Sequence, residues 1–120
     1  MARVPLVKTA IVQAGLDMEV AGALGAANAD GYSVEGSGRV YLELKNAGAS
    51  PCVVTVTTPG TVAGLAIADQ VTTVPITTGH YKIGPWDTKA FNRPASGSDA
   101  GKVYIDFDQV TSVTCALFGF

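Results

Sequence analysis

Histidine is almost missing from this sequence: there is one, His80. That removes catalytic and metal sites needing several imidazoles, and no HExxH pair is spelled. Cysteine is nearly as scarce. Cys52 and Cys115 are the only two, too far apart for a CxxC motif and without a second pair to complete a zinc site. Charge is also thin: Asp, Glu, Lys and Arg make up 15% of the chain, and the formal net charge is -2. A protein built mainly to grip nucleic acid or an anionic membrane is excluded on that ground. No apolar run approaches the roughly 20 residues of a spanning helix. Pro5, Lys8, Gln13, Asp17 and Glu19 interrupt the stretch where an export signal would need its apolar segment. A protein made and kept in the cytoplasm, or assembled there into something larger, is expected, with both thiols free and buried.

What is present is β-forming. The chain has 120 residues, of which 48% are hydrophobic, the size of a single domain with its own core. Helix signals are few, because Gly15, Gly22, Gly25 and Gly31 punctuate the Ala-rich stretch 14–29 and each interior glycine weakens a helix. Period-two alternation dominates instead. In 39–45, Val40, Leu42 and Leu44 point one way while Tyr41, Glu43 and Lys45 point the other. Cys52, Val54 and Val56 form one face of 52–58, and Val103, Ile105 and Phe107 one face of 102–108. In 113–118, Val113, Cys115 and Leu117 oppose Thr114, Ala116 and Phe118.

Turn formers in 46–51 predict a hairpin between the second and first of these runs. Pro59-Gly60 stops the strand after it, and 61–69 is a mixed segment with at most a short strand. Pro75 cannot donate to a ladder, so 70–77 reads as an edge strand or one that ends early. A short strand follows at 80–83, with Tyr81 and Ile83 inward; Gly84-Pro85 breaks it and 86–91 resumes it. The stretch 31–38 reads as a loop entering the strand at 39, and 92–101 as the most loop-like part of the chain. Val4–Val12 and Leu16–Val20 add one or two strands. The sum is an all-β fold, an antiparallel β-sandwich or jelly-roll-like barrel of seven to nine short strands. It fills one domain, 1–120, in which 1–12 is a candidate extended arm.

Candidate chemistry is sparse. His80, in a predicted turn between Gly79 and Tyr81, reads as a solvated histidine. Asp106 and Asp108 share a strand face by spacing and read as an exposed acidic face, though the pair, with Asp87 or Asp99, could weakly hold a divalent cation. Gly36-Ser37-Gly38 precedes a strand, whereas a phosphate loop follows one and opens a helix; it reads as a flexible turn. Trp86, Tyr32, Tyr41, Tyr81 and Tyr104 fit a core, a protein interface or a sugar platform. Phe118 and Phe120 close the chain without a polar tail, so they either tuck back or bury against a partner. Pro5, Val7, Trp86, Phe118 and Phe120 are the candidate interface residues. No catalytic residue, cofactor or metal site is expected, and the chain reads as a non-enzyme.

The runs 38–46, VVTVTTPGTVAGLAIAD at 53–69, VPI at 74–76, IGPW at 83–86 and GKVYIDF at 101–107 carry a likeness. Together they resemble small β-rich virion proteins of tailed bacteriophages, of the head-decoration or capsid-cement type. The likeness covers roughly 38–118 and is a pattern of strands and turns without a catalytic signature. It implies a sandwich or jelly-roll subunit on the capsid surface, assembled in the host cytoplasm and bridging copies of the major capsid protein. It also implies self-association as a homotrimer and no nucleic-acid or membrane partner. The alternatives are a tail or head–tail connector component, or a carbohydrate-binding sandwich using Trp86 with Tyr81 or Tyr104.

Overall fold

Alternating apolar residues become two stacked sheets. The computed structural model describes residues 4–17, 24–58, 61–62, 65–66, 68–86, 88–92 and 100–119. Along the described chain run β1 (Val4–Pro5), β2 (Lys8–Ala10), β3 (Gly25–Ala26), β4 (Tyr32–Glu35), β5 (Val40–Asn46) and β6 (Cys52–Thr57). They are followed by β7 (Thr61–Val62), β8 (Leu65–Ala66), β9 (Gln70–Val74), β10 (Gly79–Ile83), the single helical turn α1 (Thr88–Phe91), β11 (Lys102–Phe107) and β12 (Val113–Gly119). The first sheet has the order β1-β4-β11-β6-β9, and the second β10-β5-β12-β2, with β3 also on β12. β7 and β8 form a separate two-stranded ribbon.

The strands with the cleanest alternation hold the central positions. β5 lies between β10 and β12, and β11 lies between β4 and β6. Leu42, Leu44 and Leu117 from one sheet meet Val34, Val54 and Ile105 from the other in a single core. Each such side chain contributes about 1.5–3 kcal/mol by leaving water. Tyr32 packs edge-on against Phe107, ring centres 5.9 Å apart.

Three passages between the sheets meet at one end of the sandwich. Asn46 Nδ2 donates to the Val74 and Ser50 carbonyls, and its Oδ1 accepts the Gly48 N–H. Ala47 N–H donates to Ser112, and Thr77 N–H to Gly48. Gln109 Nε2 reaches the Ser50 carbonyl at 3.0 Å, and Asp108 accepts the Val53 N–H at 2.7 Å. At this end the loops 46–51, 75–78 and 108–112 are one hydrogen-bonded unit. The opposite end gathers the turn at 36–38 with 84–86, Thr88 and Asn92.

The all-β sandwich is as expected, with differences of detail. Among the described residues ten strands make the two sheets, more than seven to nine, and the sheets are mixed: β1 runs parallel to β4, and β2 parallel to β12. The turn 46–51 is not a hairpin, because β5 and β6 belong to different sheets. Turn formers say that the chain reverses but not in which plane, and here Asn46 binds across to β9. Residues 32–35, read as loop, are a strand; Tyr32, Ser33 and Val34 are all buried, so no alternation marks it. Residues 88–91 form a helical turn where a strand was expected. Ile83 is inward but Tyr81 is 38% exposed, because β10 is an edge strand with neighbours on one side only. β9 ends at Val74, before Pro75, and lies at a sheet edge, as proline requires. Leu16 and Asp17 are outside any strand. Residues 18–20, Pro59-Gly60 and 93–99 lie outside the described residues.

Candidate functional site

The end opposite the knitted corner carries an open pocket of about 470 Å³ lined by Ser37, Gly38, Pro85, Trp86 and Thr88. Two stretches almost fifty residues apart build it. The first is the turn that leads into β5. Gly38 has φ +76, and a Cβ there would sit 3.2 Å from Thr88 Cγ2; glycine gives both the left-handed backbone and the room. Ser37 Oγ accepts the Arg39 N–H at 3.2 Å, closing the turn. The second stretch is the break after β10. Gly84 has φ +120 and passes so near β5 that a Cβ would lie 3.1 Å from the Val40 carbonyl oxygen. The cis Gly84–Pro85 peptide follows, and Trp86 comes next in the chain. Asn92 joins the two stretches by donating from Nδ2 to the Gly36 carbonyl at 2.8 Å.

Trp86 is 4% exposed and belongs to the core, so it presents no open ring face for stacking. Its Nε1–H is buried without an acceptor, and the Asn92 Oδ1 is buried without a donor. Native proteins leave few such groups unpaired.

The other expected interface residues separate. Phe118 is wholly buried, against Tyr41 with ring centres 5.8 Å apart. It tucks back into the chain, on the face of the second sheet that points away from the core. Phe120 lies outside the described residues. Pro5 and Val7 remain open: Val7 is 81% exposed, and Val4 beside it is exposed too. The segment carrying them is extended and passes from one sheet to the other. Val4–Pro5 pair with Tyr32 and Ser33, and Lys8–Ala10 with 117–119. At the far flank Val71 and Ile76 are also exposed.

His80 is not in a turn. It stands on β10, with Nε2 3.4 Å from Glu43 Oε2, while Lys82 Nζ is 3.8 Å from Glu43 Oε1. The ladder pairs Lys82 with Glu43, a register that one strand's sequence cannot reveal. Glu43 has outward parity yet is buried, flanked by β10 on one side and Ala116 of β12 on the other. Asp108 is committed to the Val53 amide, and Asp106 faces Thr55 across the ladder. Asp87 and Asp99 lie outside the described residues. Among the described residues no three His, Cys, Asp or Glu side chains gather as a metal site would need.

Both cysteines are free and buried. Burial, then Asp108, then Cys115 push the Cys52 thiol up to about 11. Burial also raises Cys115, against a small opposing effect of the hydrogen bond with Tyr32. Thiols held protonated in this way are poor nucleophiles.

Comparison with protein-family models, with curated proteins and with solved structures returns no match to this chain.

Proposed function

We propose that this chain is a non-enzymatic structural subunit that docks onto other proteins, in the manner of the phage head-decoration proteins its sequence resembles. In this reading it sits on the outer capsid surface and bridges neighbouring copies of the major capsid protein, associating with itself as a homotrimer. The observation that supports it is the N-terminal flank. There Val7 is 81% exposed on a segment that the fold already holds extended. An ordered, exposed apolar residue beside Val4 and Pro5 can be buried by a partner at little further cost in chain entropy. Repetition of the same modest contact in an oligomer raises the overall hold through effective concentration.

The test is co-sedimentation with expanded shells that lack the protein, scored as copies bound per shell. Truncating residues 1–12 would strip β1 and β2 from both sheets, so a point substitution is cleaner. Val7→Glu should leave the denaturation midpoint unchanged and weaken shell binding at least about tenfold, the worth of one buried valine. Failure of the parent protein to bind shells would overturn the decoration reading, and unchanged binding by Val7→Glu would remove the N-terminal flank from it.

A further inference from the structure

We propose that β9 is a self-pairing edge, through which two copies of this chain join about a twofold axis into one continuous sheet. The inference does not rest on shell binding. Among the described residues the two sheets end in four edge strands, β1 and β9 in the first, β10 and β2 in the second. An open edge is a template for further pairing, and proteins blunt such edges with lysine or proline. β1 contains Pro5, β2 contains Lys8 and β10 contains Lys82. β9 reads QVTTV, with no charge, and its nearest proline, Pro75, comes only after its end. The surroundings are apolar as well: Val71, Ile76 and Tyr81 are exposed on β9, on the turn after it and on β10.

The direction of the β9 backbone follows from its neighbour. Val53 of β6 donates its N–H to Asp108 Oδ1, and its carbonyl accepts the Asp108 N–H. Val53 therefore turns its backbone groups towards the β11 side and away from β9. Antiparallel strands alternate bonded and non-bonded pairs. Val53–Thr73 and Thr55–Val71 are thus the non-bonded pairs of the β6–β9 ladder, and Thr73 and Val71 aim their N–H and C=O groups out of the sheet edge. The side chains of these two residues are exposed too, on the face away from the core. An antiparallel second copy centred on Thr72 sets each Val71 opposite the other copy's Thr73 and forms four backbone hydrogen bonds. β-Branched pairs of this kind are favourable across strands. The charge nearest to β9, Asp69, falls opposite Pro75 of the second copy instead of a second carboxylate. Because the edge complements itself in this way, the occupant is another copy of the chain.

So short a ladder is a small interface, and half-association is expected at about 10–100 μM. The experiment is sedimentation equilibrium of the full chain across and beyond that range, with amide hydrogen exchange followed at both ends of it. The expected result is a mass that doubles with concentration. In β9 only the Val71 and Thr73 amides should gain protection, since the others already face β6. Val71→Lys combined with Thr73→Lys places lysine against lysine and should abolish the doubling. Val71→Lys combined with Thr73→Glu places lysine against glutamate and should restore it. Both pairs of substitutions lie on the exposed face, so the urea midpoint should change little. A monomer throughout, protection gained away from Val71 and Thr73, or association lost equally in both double variants would overturn the proposal. So would a trimer that both double variants leave intact, a result that leaves the shell-binding reading standing.

Discussion

Replacing Asn46 by alanine should be among the most damaging polar-to-apolar changes in this chain. Asn46 ends β5, is completely buried, and makes three side-chain bonds: Nδ2 to Ser50 O at 2.9 Å and to Val74 O at 3.3 Å, and Oδ1 from Gly48 N at 3.0 Å. The partners fix the amide orientation, since two carbonyls need the nitrogen and one N–H needs the oxygen. The Val74 bond ties the second sheet to the edge strand of the first. At about 1 kcal/mol net per bond, with a further penalty for any acceptor left dry, Asn46→Ala should cost roughly 3 kcal/mol. That is a large part of a domain stability of about 5–15 kcal/mol. In urea the midpoint should fall by about 2 M, for a slope near 1.5 kcal/mol/M that does not change.

Asn46→Asp sharpens the test. At neutral pH it sets a carboxylate against two carbonyl oxygens and removes both donors, so it should be worse than alanine. A carboxyl buried there has its folded-state pKa raised above the unfolded value of about 3.9. The penalty is therefore absent below that unfolded value and grows as pH rises towards the folded one. Acidification should thus recover stability in Asn46→Asp relative to Asn46→Ala. An alanine variant within about 0.5 kcal/mol of the parent, or an aspartate variant as stable as alanine at neutral pH, would refute the role given to this side chain.

Three further outcomes follow from buried groups. Phe118→Ala should lower stability by about 3–5 kcal/mol, because the ring is enclosed against Tyr41. Its oligomer mass in light scattering should be unchanged as long as the variant is folded; a stable variant of lower mass would instead place Phe118 at a subunit contact. Burial raises Tyr32 to about 12 from 10.0, and Cys52 to about 11 from 9.0. Each folded value exceeds the unfolded one, so this stability is complete below about pH 9 and is lost as pH climbs through about 11 to 12. Urea midpoints should stay flat to about pH 9 and then fall, with a shallower fall in Tyr32→Phe. A thiol reagent at neutral pH should label neither cysteine until denaturant is added, and prompt labelling would contradict the burial.

The strands that alternation exposed are those with neighbours on both sides and one face in the core. β5, β6, β11 and β12 meet both conditions, and their inward residues are the ones expected. Alternation fails where burial is not one-sided. Tyr32–Glu35 is hidden on both faces at its start, and β1 and β3 are two residues long, too short to show a period. It also fails at edges: Tyr81 has inward parity but no strand beyond β10 to enclose it. In β12 outward parity did not mean exposure, since Phe118 is buried on the face away from the core.

The corner at 46–51 and the pocket show why the candidate site was only half legible. Each stretch on its own was marked: Gly36-Ser37-Gly38 as a turn, Gly84-Pro85 as a break, Trp86 as the single indole. Their meeting was not, because it depends on the register of β5 with β10, which carries Ile83 beside Leu42 and so sets Gly84 against Val40 and Tyr41. The same register brings His80 and Lys82 beside Glu43. At the knitted end, side-chain amides and backbone groups satisfy one another, which suits that end to holding the sheets together. At the pocket end a buried donor and a buried acceptor remain unspent.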